Sequence, residues 1–202
     1  MSLMGYQEKD NKRSRLSPIE RRHQLLDLAV TLFAEKGIGE AKHADLAARA
    51  EVSVATTFVY FPTRDALIDT VLEEVAKVHI SLFDSIDVEG LSLEQFLHGL
   101  AKLIVLMVVE RPNYVKVWLG WSTNYSLVLR ESFLKSEAIV IDRLANVLKK
   151  AEGVSEKQSR DNARILMAAS QTLSMMKLDG MDEIRIQRFV NHTIDVVIAY
   201  GR

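Results

Sequence analysis

From Ser17 onward the apolar residues of this chain recur at helical spacing between one capping signal and the next, and nowhere alternate long enough to make a strand. Nine glycines and three prolines in 202 residues do little to interrupt that period. Ser17-Pro18-Ile19-Glu20 opens the first helix. Its serine can cap the orphan amides, its proline suits the first turn, and its glutamate reaches back from three residues on. Leu25, Ala29, Leu32 and Phe33 follow as one apolar stripe until Gly37 ends the run.

Eight further helices are predicted by the same signals. A short one covers 45–50, and Ser53 caps a third that runs to about Tyr60, before Pro62. A long fourth spans 64–84. Ser92-Leu93-Glu94-Gln95 repeats the capping pattern and starts a fifth that ends before Pro112. The remainder are expected over 113–121, 126–152, 155–178 and 182–200. The fold class is all-α, with about nine helices.

Composition narrows the function classes. Cysteine is absent, which excludes disulfide frameworks, thiolate metal sites and cysteine nucleophiles. The longest apolar run, 103–109, is far short of the roughly 20 residues of a membrane span. No secretory signal is visible, and a soluble, cytoplasmic protein is expected. Met1-Ser2-Leu3 ahead of a second methionine, Met4, has the form of an expression scar.

Catalysis has little support. His23, His43, His79, His98 and His192 are scattered, Glu73 and Glu74 face different sides of a helix, and neither GxSxG nor GxxxxGK[ST] occurs. No cofactor, metal or enzymatic activity is implied.

The formal charge of −1 hides a gradient. Residues 1–64 hold ten Lys/Arg against eight Asp/Glu, and the remainder is acidic. Lys9, Lys12, Arg13, Arg15, Arg21 and Arg22 cluster before and within the first helix, either as a solvated tail or as an arm for a polyanion.

The segment 45–61 has the form of two short helices joined by a tight turn. Leu46, Val52, Thr57 and Phe61 fall on the inner face. The outer face centres on Ala55 and Val59, flanked by Thr56, Phe58 and Tyr60, with no carboxylate. An ordinary helical hairpin explains this pattern. So does a reading head for the major groove, where apolar groups meet thymine methyls and hydroxyls meet phosphates.

These helices resemble the DNA-binding domain of the TetR family of bacterial transcription regulators. More narrowly, Gly37-Ile38-Gly39, His43-Ala44-Asp45-Leu46-Ala47, Val52-Ser53-Val54-Ala55-Thr56 and Tyr60-Phe61-Pro62-Thr63-Arg64 look like those of the LuxR/HapR-type quorum-sensing master regulators of vibrios. Val115-Lys116-Val117-Trp118 with Trp121-Ser122 carries a similar tryptophan pair.

The resemblance implies a homodimer on a near-palindromic double-stranded operator. By position, Val54, Ala55, Thr56, Phe58, Val59 and Tyr60 would meet bases, while Arg13, Arg15, Lys42, Ser53 and Arg64 would lie at the DNA backbone. Three residues depart from the pattern: Val59 where the vibrio group has asparagine, Glu51 where most relatives have glycine, and Arg64 for lysine.

Three segments are expected: 1–16 as scar and flexible basic arm, 17–63 as the DNA-binding domain, and 64–202 as a helical domain for dimerisation and an effector. On the last two helices Ile165, Ala169, Leu173, Phe189, Ile194 and Val197 are expected at the subunit interface. Phe83, Met107, Trp118, Trp121, Met167, Gln171 and Met175 are candidates for a cavity holding an apolar small molecule, with ordinary core packing as the other reading of each. The alternatives for function are an efflux-type, drug-responsive repressor and a helical small-molecule-binding protein without a DNA role.

Overall fold

The computed structural model describes residues 16–83, 90–152 and 156–200. Among them the secondary structure is entirely helical: α1 (Pro18–Lys36), α2 (His43–Ala50), α3 (Val54–Tyr60), α4 (Arg64–Ser81), α5 (Leu93–Glu110), α6 (Pro112–Ser122), α7 (Leu127–Glu152), α8 (Glu156–Leu178) and α9 (Glu183–Tyr200).

Both capping boxes form. The Ser17 amide donates to the Glu20 carboxylate at 2.8 Å while the Glu20 amide donates to Ser17 Oγ at 3.3 Å. Ser92 and Gln95 repeat the exchange at 2.9 and 3.2 Å. α2 begins two residues before the predicted start, because Asp45 is its third residue. The Asp45 carboxylate reaches back to accept the Lys42 amide at 3.1 Å, which fixes the helix end upstream of it. α1 ends at Gly37, whose φ of 89° lies in the region glycine tolerates best.

α1 packs on α2, α4 and α6, and α2 packs on α3. Leu25, Phe33, Leu46 and Phe61 share one core with Leu67 and Val71 of α4 and with Trp118, Trp121 and Phe133 further on. That core therefore runs without a break past residue 64. A second core joins α5, α7, α8 and α9 through Phe96, Leu100, Leu148, Leu173 and Ile194. Two hydrogen bonds tie α6 to α1: Asn113 Nδ2 donates to Thr31 Oγ1 at 3.2 Å, and the Tyr114 hydroxyl donates to Asp27 at 3.4 Å.

Candidate nucleic-acid interface

α3 is seven residues long, too short to persist alone, and its neighbours hold it. Ser53 caps it: Oγ accepts the Thr56 amide at 3.1 Å and shares a 2.8 Å hydrogen bond with Thr56 Oγ1. Thr57 is fully buried, with its hydroxyl donating to the Val54 carbonyl at 2.8 Å. Phe61, beneath the end of the helix, sits in the core, and its carbonyl accepts from His43 Nε2 at 2.8 Å. The His43 ring stacks on Phe58, centroids 4.1 Å apart and planes 4° from parallel. One imidazole thus clamps the start of α2 to both the body and the end of α3.

Ion pairs hold the frame around it. Lys36 lies 2.6 Å from Asp45, and Arg49 lies 2.5 Å from Glu35. Each carboxylate is held below its usual range chiefly by the hydrogen bond from its basic partner. The Arg64 guanidinium donates to the Gly39 carbonyl, which links the start of α4 to the turn between α1 and α2.

What remains outward on α3 is Val54, Ala55, Phe58 and Val59, the last 76% exposed, with Thr56 and Tyr60 at the margins. The inner set is Leu46, Thr57 and Phe61, with Val52 packed against them. Lys42, Ser53 and Arg64 are exposed beside this face. Arg13 and Arg15 lie outside the described residues. The turn before α3 holds Glu51 at φ 53° and ψ 46°, a left-handed conformation unusual for a residue with a side chain.

In the helical domain, Trp118 stacks on His79 with centroids 4.4 Å apart, and Phe133 closes over both tryptophans. A cavity of about 50 Å³ adjoins them. Phe83, Met107, Trp118, Met167 and Gln171 line it. Trp121 does not: its ring is buried in the core, and Nε1 donates to the Leu129 carbonyl at 2.9 Å. Met175 does not either, because it lies on the half-exposed side of α8. His79, Ser170 and Ser174 line the cavity and were missed. The signal for His79 was legible, since it continues the stripe of Val71 and Val75 at four-residue steps.

α8 and α9 divide their wide apolar surface in two. Leu173, Ile194 and Val197 are buried against α5 within the protomer and are not free to meet a second copy. Ala169 and Phe189 are partly covered and line a cleft with Leu97 and Leu100 of α5. The outward strip is Ile165, Ala168, Met175, Ile184 and Val196. Of the six expected interface residues, Ile165 is the one on it. Periodicity showed an apolar surface broader than one neighbour needs, and α5 takes the half on which Leu173 and Val197 lie.

Residues 25–71 match the family described as bacterial regulatory proteins, tetR family. Over 195 residues, 94% of this chain and 95% of the relative, the sequence is 28% identical to the HTH-type transcriptional regulator LuxR of Vibrio harveyi. Among solved structures, Salmonella enterica GusR superposes with a TM-score of 0.74 at 16% identity, covering 92% of this chain and 97% of that one. A TetR-like transcriptional regulator from Rhodococcus sp. RHA1 superposes at 0.71 with 20% identity, covering 93% and 96%. These two likenesses concern the fold. Family match, full-length relative and clamped helix-turn-helix point the same way: the chain is similar to transcription regulators of the tetR family over residues 25–71 and to LuxR along nearly its whole length.

Proposed function

We propose that the chain binds a near-palindromic duplex as a homodimer, one α3 in each of two successive major grooves, and takes a small apolar effector into the cavity beside Trp118. The observation that carries this is the outward face of α3, uncharged and built of short or apolar side chains, on a helix whose polar groups are already used to hold it. Such a face meets base edges and thymine methyls without desolvating a charge. Arg64 and Lys42, with Arg13 and Arg15 ahead of α1, supply cations for phosphates. In this division 17–63 reads DNA and 64–202 dimerises and senses.

The strip of Ile165, Ala168, Met175, Ile184 and Val196 supports self-association. Likeness to LuxR along nearly the whole chain supports a regulator of that kind, linked to quorum sensing and acting on chromosomal DNA in the cytoplasm.

The test is selection of bound duplexes from a random library by the full chain, followed by affinity measurements across salt. Two half-sites about 34–36 Å apart are expected. Val59→Asn should change the selected bases, and Arg64→Gln should reduce the slope of log K against log salt by about 1 on every sequence. Failure to enrich any sequence, or a monomer at micromolar concentration in sedimentation, would overturn the proposal.

A further inference from the structure

We propose that the cavity beside Trp118 takes a small, uncharged, mostly apolar molecule bearing one hydrogen-bond donor, a hydroxyl or an N–H, and that His79 Nε2 receives it. This rests on the reading of that cavity as the effector site.

His79 stands on the buried stripe of α4, one turn beyond Val75 and two beyond Val71, and is 8% exposed. Its Nδ1 lies 2.8 Å from the Val75 carbonyl. A carbonyl only accepts, so Nδ1 carries the proton. Burial keeps the imidazole neutral, lowering its pKa to about 4. A neutral imidazole has a single N–H, so Nε2 is a bare acceptor. Among the described residues it has no protein partner.

The ring lines the cavity, and with Nδ1 turned back on its own helix the Nε2 edge leads away from α4. Stacking on Trp118, with planes 16° apart, fixes its orientation. An acceptor held at one angle in a wall that is apolar apart from Ser170, Gln171 and Ser174 selects for a donor, because an unsatisfied buried acceptor is costly.

The rest of the wall sets charge and size. Leu100, Met107, Val115, Leu166 and Met167 are apolar, and His79 is the one ionisable residue among those that line the cavity. A carboxylate would find no cation there and would set its lone pairs against that of Nε2. An ammonium would be desolvated without a counter-charge. Ser174 is also buried and without a partner among the described residues, and its hydroxyl can turn to serve a ligand oxygen. About 50 Å³ is less than the roughly 150 Å³ that holds a benzene ring. A one- or two-ring molecule therefore enters by displacing Met107 and Met167, whose unbranched thioethers repack readily.

The test uses indole and benzofuran, nearly equal in shape, of which the first alone has a donor. Calorimetry on the full chain should show indole bound at least about tenfold more tightly. His79→Phe keeps the stack and the apolar volume but lacks the acceptor, and the preference should shrink to within about twofold with both molecules still bound. In the unsubstituted chain labelled with ¹⁵N-histidine, the Nε2 resonance of His79 should move on adding indole and stay in place with benzofuran. That measurement decides the matter even where the variant does not fold. Equal binding of the two, a preference that survives in His79→Phe, or an unmoved Nε2 resonance overturns the role of His79 and leaves the effector site standing. Absence of binding by both molecules at millimolar concentration overturns the site as well.

Discussion

The two halves of the molecule each bury a histidine that stacks on an aromatic ring and bonds a backbone carbonyl, and they use it differently. In the N-terminal part His43 spans from α2 to the carbonyl of Phe61, 18 residues away. In the helical part His79 bonds Val75, four residues back on its own helix. Short helices cannot hold one another by packing alone. Around α3 the polar side chains are therefore cross-braces: His43 to Phe61, Lys36 to Asp45, Arg49 to Glu35, Arg64 to Gly39. Long helices such as α5 and α8 satisfy their own backbones and pack through apolar faces, and His79, bonded within its own helix, joins no second element by hydrogen bonding. The two histidines differ accordingly: His43 has a structural duty between short helices, and His79, bonded only within its own long helix, keeps one ring nitrogen for a ligand.

Acid should separate the halves most strongly. His79 is neutral when folded, and its pKa is lowered from 6.5 to about 4, so the unfolded chain binds the extra proton between those values. Its contribution is complete above pH 6.5 and is lost as pH falls toward 4, about 3 kcal/mol in all. Urea titrations of the native chain and His79→Phe should diverge over that window by this amount. Parallel curves would show that burial of this imidazole has no effect on stability.

A smaller effect is expected from His43→Phe. It leaves the Phe61 carbonyl without its partner and should cost about 2 kcal/mol, with duplex affinity falling alongside stability. Unchanged affinity would mean that α3 does not need the clamp. Least is expected of Glu51→Gly, which relieves a left-handed backbone by about 1 kcal/mol and also removes whatever the Glu51 side chain contributes, so the unfolding midpoint should move by less than the equivalent of that amount. A shift larger than that would show that the backbone relief and the lost side chain do not offset each other.

Much of the fold was legible because helix ends are local chemistry. Ser17 and Ser92 announce their caps within four residues, and the inner and outer faces of α3 follow from rotating a short helix about Thr57 and Phe61. The apolar surface of α8 and α9 was legible as a surface but not by side. Leu173 and Ile165 both belong to apolar stripes, and only the position of α5, set by contacts distant in sequence, decides that the first faces inward. Trp118 and Trp121 pose the same difficulty three residues apart on α6, one bordering the cavity and the other closed in core. Ser174 went unread because a serine on a helix usually bonds its own backbone, and its freedom is a matter of three-dimensional surroundings.

The stacking of Phe58 on His43 also bears on the entropy of association. An exposed aromatic side chain ordinarily samples several rotamers and surrenders them when it docks, at a cost of about 0.5–1.5 kcal/mol. Phe58 is 45% exposed, yet its ring is already parallel to an imidazole that is itself held by a backbone carbonyl. That ordering occurs when the chain folds. On the proposed reading Phe58 would reach a duplex with its freedom already spent, and a groove that fits it would gain affinity without that further loss.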